Sequence, residues 1–321
     1  MNQPIPYFCQ SCQQSTIEPN VNSTTKSIKP IHSINYLWNL WNQQSIKIPN
    51  TKITLMGFSV AALKTNFYLK ELNIMFDGGL SSNFEPSHVF VTHLHTDHIA
   101  NCPWHFDPCD QKNIKFYIPH NTKSRFTKFI ESSHPYKGQN TEIGQPSEID
   151  HAYHVIEVEN GKNFELEIKG SNYTIEIIRC YHSVMCTSYG LIENKQKLKK
   201  EYMGLKNEDI KKLKFDNVEI TENISNPFFL YVGDTSKEIL LDERLQKYST
   251  IMIECTFLND EEILRADETQ HMHWKYLEEY VKTHNSITFI LYHFSSRYKR
   301  EYINDFFQKI NLPNIIIWNS N

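Results

Sequence analysis

Apolar and polar residues alternate in short runs from about residue 52 onward, and this pattern predicts a chain rich in β-strands. The predicted strands are Ile53–Met56, Thr65–Leu69, Ile74–Phe76, Val89–Thr92, Lys115–Ile118, Val155–Val158, Phe164–Ile168, Tyr173–Cys180, Phe228–Val232, Ile251–Glu254 and Ile287–Tyr292. Helical patterns cover residues 122–131, 274–282 and 298–310, and short helices are expected within 195–214. Strand-rich halves that are each closed by helices predict an α/β fold of two sheets sandwiched between helices.

The first fifty residues differ from the rest in composition. They are rich in Asn, Gln, Ser and Pro and contain one apolar, aromatic island at residues 36–41. We therefore expect an N-terminal extension over residues 1–50, of unknown role, and one domain over residues 51–321. The island is expected to pack onto the core or onto a second subunit. Cys9 and Cys12 form a lone C-x-x-C pair, and without a second pair we expect no structural zinc there.

Bulk composition limits the class of protein. The 321 residues are 40% hydrophobic and 22% charged, which is typical of a globular chain. The net charge of −4 argues against a protein that coats nucleic acid, although it allows a local basic patch. The cysteine count of seven is odd, no secretory segment precedes them, and no apolar run approaches a membrane span. We expect reduced thiols, no membrane partner and a cytoplasmic protein, with organelle and nucleus left open.

The strongest chemical signal follows the predicted strand at Val89–Thr92. The chain there reads His93-Leu94-His95-Thr96-Asp97-His98, four metal-competent side chains in six positions. Buried together without a partner, three imidazoles and a carboxylate would be costly to desolvate, and a divalent cation removes that cost. The alternative is a solvated, His-rich turn. For this spacing after a buried strand we favour the metal, with zinc as the natural ion for such ligands.

Three further residues follow apolar strands and complete a plausible set of ligands, since a two-metal site needs a bridging carboxylate and more imidazoles. They are His182, Asp234 in Gly233-Asp234-Thr235, and His293. Taken singly, each has a structural alternative, such as a turn histidine or an N-cap aspartate. Their shared position after a strand favours the metal site.

Two more residues form a candidate catalytic pair. Glu254 ends a predicted strand, and His271 precedes a predicted helix in His271-Met272-His273. A carboxylate that fixes the tautomer of an imidazole can make it a proton donor for a leaving group. The alternative is that His271 or His273 simply caps the helix.

The order of these motifs resembles tRNase Z, the tRNA 3′-processing endoribonuclease of the metallo-β-lactamase superfamily. The whole superfamily shares the hexapeptide. The most specific matches are the stretches that begin at Glu254 and His271, together with His293-Phe294-Ser295-Ser296-Arg297-Tyr298. Residues 57–61, 197–205 and 218–221 are similar to the short plant and cyanobacterial type. The resemblance covers about residues 52–310 and leaves the first fifty uncovered.

The resemblance implies an αββα hydrolase with two Zn²⁺ per subunit, or Mn²⁺ in their place, acting on precursor tRNA as a homodimer. One metal would take His93, His95, His182 and a bridging Asp234, and the other Asp97, His98, Asp234 and His293. The metals would activate hydroxide to cut the phosphodiester and release the 3′ trailer. The implied catalytic residues are Asp97, His271 and Glu254, with Ser295 and Arg297 holding phosphate oxygens.

One departure concerns the RNA-clamping arm, which is Gly- and Pro-rich in bacterial members and lies between the third and fourth ligand motifs. This chain has instead a Lys-rich stretch, in which eight Lys against three acidic residues give a local charge of +5 over residues 195–214. A candidate RNA-backbone patch comprises Lys197, Lys199, Lys200, Lys211 and Lys212. A solvated helix face explains the charge pattern equally well.

Two other functions stay open on the sequence. One is a superfamily hydrolase of another substrate, such as a β-lactam or another RNA or phosphodiester, since the metal motifs are shared. The other is a non-catalytic RNA-binding or scaffold protein, against which the full set of seven ligand positions argues.

Overall fold

Two seven-stranded sheets make up the computed structural model, which describes residues 39–105, 114–133 and 154–320. The first sheet contains, in spatial order, β1 (Ser45–Lys47), β2 (Thr54–Val60), β3 (Lys64–Leu69), β4 (Ile74–Phe76), β5 (His88–Phe90), β6 (Lys115–Pro119) and β7 (His154–Val158). The second contains β8 (Phe164–Ile168), β9 (Ser171–Cys180), β10 (Cys186–Leu198), β11 (Thr221–Tyr231), β12 (Thr250–Glu254), β13 (Thr288–Tyr292) and β14 (Ile315–Ile317).

Both sheets follow the same pairing scheme. In the first, the three pairings from β1 to β4 are antiparallel and the three from β4 to β7 are parallel. In the second, the pairings from β8 to β11 are antiparallel and those from β11 to β14 are parallel. The sequence shows no internal repeat, yet the two halves have equivalent strand order and direction.

Helices cover the outer faces of the sheets. The α-helices are α1 (Thr96–Ile99), α2 (Lys123–Ser132), α3 (Asn207–Phe215), α4 (Ile263–Thr269), α5 (Trp274–Thr283) and α6 (Arg300–Ile310), of which α2, α5 and α6 pack against the sheets. Trp274 of α5 and Phe307 of α6 pack with the second sheet, and Phe126 of α2 packs with the first. Because α5 and α6 are apolar on one face only, they can each cover a sheet and still face water. The predicted αββα sandwich is confirmed.

Aromatic residues fill the space between the two sheets. Phe67 of β3 makes edge contacts with Tyr231 and Tyr292 from the second sheet and with Trp318. All four side chains are fully buried. Rings of this size bury a large apolar area at a low entropic cost, so they hold the two sheets together in one core.

Strands β10 and β11 extend beyond the sheet as a hairpin, which we call the arm and define as residues 192–227. Its two strands pair from Ile192 and Pro227 out to Leu198 and Thr221, and α3 lies at its tip. No residue of α3 is buried. The prediction of short helices within 195–214 is correct for α3. It did not include the extension of β10 to Leu198, because the outer half of β10 is polar on both faces.

The first described residues pack against the first sheet. Leu40 and Trp41 are buried, and the Trp41 Nε1–H donates to the Ser81 carbonyl at 2.8 Å. The side chain of Gln44 donates to the Ile317 carbonyl at 2.8 Å, which ties this segment to the last strand. We propose that the domain begins by residue 39, earlier than the expected boundary at 51. Residues 36–38 of the aromatic island, and Cys9 and Cys12, lie outside the described residues.

None of the helices in the described ranges is both long enough and apolar enough to cross a membrane.

Candidate metal centre

The hexapeptide leaves the end of β5 and turns at once into α1. The turn after β4 holds it in place, since Gly78 N–H donates to the His98 carbonyl at 2.6 Å and Asn101 N–H donates to the Gly78 carbonyl at 2.8 Å. A Cβ on Gly79 would lie 1.7 Å from the Asp97 carbonyl oxygen. Only glycine therefore allows the backbone of this turn to approach α1 so closely.

Three imidazoles converge on one point. His95 Nδ1 lies 3.1 Å from His93 Nε2 and 3.1 Å from His182 Nε2. The His182 Nδ1–H donates to the Gln270 carbonyl at 3.0 Å, which leaves its Nε2 lone pair facing the other two rings. Burial lowers the pKa of His93 well below its ordinary value and that of His182 as well. Neutral imidazoles with converging lone pairs are what a metal ion requires.

A second group lies directly beside the first. His98 Nε2 lies 3.6 Å from Asp97 Oδ2, and His293 Nε2 lies 3.6 Å from the same oxygen. Asp234 Oδ2 joins the two groups, at 3.4 Å from His98 Nε2, 3.5 Å from His293 Nε2 and 3.7 Å from His93 Nε2. The structure therefore brings together all seven residues predicted as ligands, with Asp234 in the middle.

The buried polar atoms of this second group test whether a metal fits. His98 Nε2, His293 Nε2 and Asp234 Oδ1 are buried and have no hydrogen-bond partner among the described residues. Such orphaned atoms are rare and costly in a folded protein unless something binds them. The donors form overlapping groups of histidine and aspartate with ligand atoms within 4.8 Å of one another. Nitrogen and carboxylate donors at this spacing fit a divalent metal centre.

Asp77 supports the centre from behind, a role that we did not predict from the sequence. Its Oδ2 accepts the His98 Nδ1–H at 2.9 Å and the Tyr231 hydroxyl at 2.8 Å, and its Oδ1 accepts from Thr92 N–H at 2.8 Å and from Thr92 Oγ1 at 2.9 Å. These bonds fix the ring orientation of His98 and leave Nε2 for a metal. The sequence feature that could have indicated this role is the position of Asp77, a carboxylate between a buried strand and Gly78-Gly79.

We expect Asp77→Asn to weaken zinc binding about 10–100-fold, because the amide is a poorer acceptor for the His98 imidazole. Asparagine suits this backbone, since Asp77 has a φ of 58° in the left-handed region. Competition with a chelator of known affinity measures the effect, with exposed Asp305→Asn as the control. Unchanged affinity in Asp77→Asn would show that this carboxylate does not tune the centre.

The predicted pair of Glu254 and His271 forms at the edge of the metal centre. His271 Nδ1 donates to Glu254 Oε1 at 2.9 Å, and the His271 ring lies 5.5 Å from that of His293. Burial would lower the pKa of His271, but the adjacent Glu254 raises it to about 9. His271 is therefore not a helix cap. His273 is, because its Nδ1 accepts the Lys275 N–H at the start of α5.

Thr256 links Glu254 to His293 by hydrogen bonds. The Thr256 hydroxyl donates to Glu254 Oε2 at 2.5 Å and lies 3.0 Å from His293 Nδ1, whose N–H it can accept. His293 has a φ of 63°, a conformation that costs a non-glycine residue free energy. The hydrogen bond to Thr256 holds the strained residue with Nε2 towards Asp234.

The other predicted site residues lie farther out. Ser295 follows His293, and its backbone pairs with Ala61 in an isolated bridge. Arg297 Nε donates to Ser295 Oγ at 3.1 Å, and its guanidinium forms an ion pair with Glu262 at 2.6 Å. The candidate lysine patch lies on the arm, where Lys197, Lys200, Lys211 and Lys212 are exposed and Lys199 is half-buried.

Comparisons with known proteins agree with the motifs. No family model matches the sequence. The chain is 28% identical over 273 residues to the chloroplastic tRNase Z TRZ2 of Arabidopsis thaliana, which covers 82% of this chain and 73% of that protein. It is 26% identical over 262 residues to tRNase Z TRZ1 of the same plant, covering 78% of this chain and 88% of that protein.

A solved structure supports the fold alone. The metallo-β-lactamase fold protein YhfI from Bacillus subtilis superposes with a TM-score of 0.52 at 13% identity, covering 83% of this chain and 94% of that one. The sequence relatives and the shared architecture point the same way as the motifs do. The chain is thus similar in sequence to plant proteins named tRNase Z and has the metallo-β-lactamase fold, as its sequence predicts.

Proposed function

We propose that this protein is a metal-dependent endoribonuclease that removes the 3′ trailer from precursor tRNA. The observation that carries the proposal is the pair of His271 and Glu254 beside the metal centre, 2.9 Å apart. Cleavage of a phosphodiester requires a proton for the leaving alkoxide, and a buried, carboxylate-bound histidine next to the metals can donate it. The similarity to proteins named tRNase Z supports RNA as the substrate.

The residues that converge in the structure would hold two Zn²⁺ ions, or Mn²⁺ in their place, and Asp234 lies between the two groups. Bound metal supplies a hydroxide nucleophile near neutral pH and polarises the scissile phosphate. The chain itself contributes the orientation of every ligand, through Asp77 on His98 and Thr256 on His293. Asp97, which accepts the Ala62 N–H at 3.1 Å, is held beside His98 and His293.

His271 is the proposed proton donor. Its Nδ1–H is committed to Glu254, so Nε2 is the atom that faces the leaving oxygen. The raised pKa of this imidazole keeps the acid form populated at neutral pH. Arg297 and Ser295 are proposed to hold phosphate oxygens, since a guanidinium can bind two oxygens at once.

The test is cleavage of a labelled precursor tRNA with a 3′ trailer, with both product ends mapped. A single cut that leaves a 3′-hydroxyl on the tRNA body and a 5′-phosphate on the trailer supports the proposal. Scattered cuts, or none while a β-lactam or bis(p-nitrophenyl) phosphate is turned over, would favour a superfamily hydrolase of another substrate. Absence of metal and of all turnover would favour a binding protein without catalysis.

The arm is the proposed RNA contact. Its exposed lysines stand beside exposed apolar side chains, among them Phe215 at 86% and Met203 at 48% exposure. Lysines that neutralise phosphates release counterions, and an exposed ring offers a surface on which a base can stack. The missing Gly- and Pro-rich segment is thus replaced by a hairpin with a helical tip in the same part of the chain.

We expect alanine at Lys199, Lys200, Lys211 and Lys212 to weaken precursor tRNA binding about tenfold or more, and to make it less dependent on salt. Binding isotherms at several salt concentrations measure both effects. Alanine at Lys282 and Lys309, on helices α5 and α6, is the control for charge removed elsewhere. An equal loss in both variants would mean that the arm has no special role.

The expected homodimer and cytoplasmic location stay predictions. Light scattering checks the first of them.

A further inference from the structure

Glu262 is a buried acid that the proposed mechanism does not use. It ends a short 3-10 turn, Asp260–Glu262, and is only 9% exposed. Its Oε2 accepts from the Asn259 side-chain amide at 3.1 Å and from the Tyr298 hydroxyl. The Asn259 backbone N–H also points to this oxygen, at 3.4 Å. One oxygen of the carboxylate is therefore anchored by several donors from two segments of the chain.

The other oxygen of Glu262 binds Arg297. The Arg297 Nη2–H donates to Oε1 at 2.6 Å, while Nε–H donates to Ser295 Oγ at 3.1 Å. The guanidinium carbon lies 5.7 Å from the centre of the Phe257 ring, and that ring lies 6.3 Å from the ring of His271. Arg297 and the proposed proton donor therefore both lie next to the Phe257 ring. The side chain of Arg297 is 48% exposed.

We propose that Glu262 is a positioning residue that orients the Arg297 guanidinium towards a phosphate oxygen of the substrate. The inference rests on the proposed function, in which Arg297 binds phosphate. A free arginine side chain loses much rotamer entropy when it binds a ligand. Here Glu262 and Ser295 hold two edges of the guanidinium before substrate arrives, and the remaining N–H groups are left to donate to phosphate. Preorganisation of this kind increases affinity by lowering the ordering cost.

The opposite role is a carboxylate that competes with phosphate for Arg297. The two roles predict opposite signs. Removing a positioning carboxylate raises KM, whereas removing a competitor lowers KM. The anchoring of Oε2 favours positioning, because a carboxylate held by Tyr298 and Asn259 is not free to move away when phosphate binds.

The experiment measures kcat and KM for wild type, Glu262→Gln, Arg297→Ala and the double variant, at matched metal content. Precursor tRNA and bis(p-nitrophenyl) phosphate are both used as substrates. We expect Glu262→Gln to raise KM about tenfold with a smaller change in kcat, as expected for a weakened charge-assisted contact. In the Arg297→Ala background Glu262→Gln should change KM less than twofold, because the residue acts through Arg297.

Asp267→Asn in α4 is the matched control, since it removes an exposed ion pair with Lys237 that lies 3.0 Å away. Thermal unfolding reports any loss of stability in each variant. An equal rise in KM with and without Arg297, an unchanged KM, or a lower KM in Glu262→Gln overturns the proposal. If precursor tRNA is not cut but the small diester is, the proposed RNA function fails while the role of Glu262 is still measured on the diester.

Discussion

Replacing Asp234 with alanine should remove metal from the protein and lower phosphodiester hydrolysis by at least about 1,000-fold. Asp234 is the residue that touches both groups of ligands, since its Oδ2 lies within 3.7 Å of His93, His98 and His293. Nearby histidines hold the pKa of this buried carboxyl well below its ordinary value, although burial alone would raise it. Without its charge, no carboxylate joins the two groups of imidazoles.

Metal content by elemental analysis and turnover of bis(p-nitrophenyl) phosphate are measured on the same preparation. Exposed Asp305→Ala, on α6, controls for the loss of an aspartate elsewhere. The prediction separates two explanations of lost activity, because Asp234→Ala must lose metal and turnover together. Full metal content with no turnover would mean that Asp234 acts on the substrate and does not bridge the metals.

Replacing His271 with alanine should lower precursor tRNA cleavage about 100- to 10,000-fold while leaving the metal content intact. The ring lies close enough to His182 and His293 to contribute a ligand atom, but its Nδ1 donates to Glu254. His273→Ala is the matched control from the same motif. It removes the cap of α5 and should cost about 1 kcal/mol of stability with little effect on kcat. Metal loss in His271→Ala would make this residue a ligand.

The pH profile tests the acid role directly. A general acid works in its protonated form, so cleavage should decline as the pH rises through the pKa of His271, near 9. Glu254→Gln removes the main group that raises this pKa, while burial continues to lower it. The alkaline limb should therefore move to lower pH in Glu254→Gln. A limb that stays in place would assign it to another group.

The candidate metal centre could be predicted from sequence because its proposed ligands follow apolar strands. Strand β4 was predicted at Ile74–Phe76 and β8 at Phe164–Ile168, and both occur with those bounds. Asp234 and His293 follow parallel strands of the second sheet, whose carboxyl ends meet at one edge, whereas His93 follows a strand of the first sheet. The sequence therefore indicates each candidate ligand, and the packing of the two sheets brings them together.

Other parts depend on contacts that no local pattern shows. Asp77 looked like a turn residue because its partner Tyr231 is 154 positions away. Glu262 looked like one acid among three, and its pairing with Arg297 over 35 positions is visible only in the fold. The sequence did not predict that the arm is a hairpin. Its strands are polar on both faces, so they show neither the two-residue hydrophobic period of a strand nor the 3.6-residue period of a helix.

The matching order of the two sheets places Asp77 and Asp234 at corresponding points of the two halves. Each follows the strand at which antiparallel pairing changes to parallel pairing, β4 in one half and β11 in the other. Donors from Thr92, His98 and Tyr231 saturate the first carboxylate, whereas the second keeps an unpartnered oxygen among the described residues. The corresponding position therefore supports a histidine in one half and lies between the two groups of candidate ligands in the other.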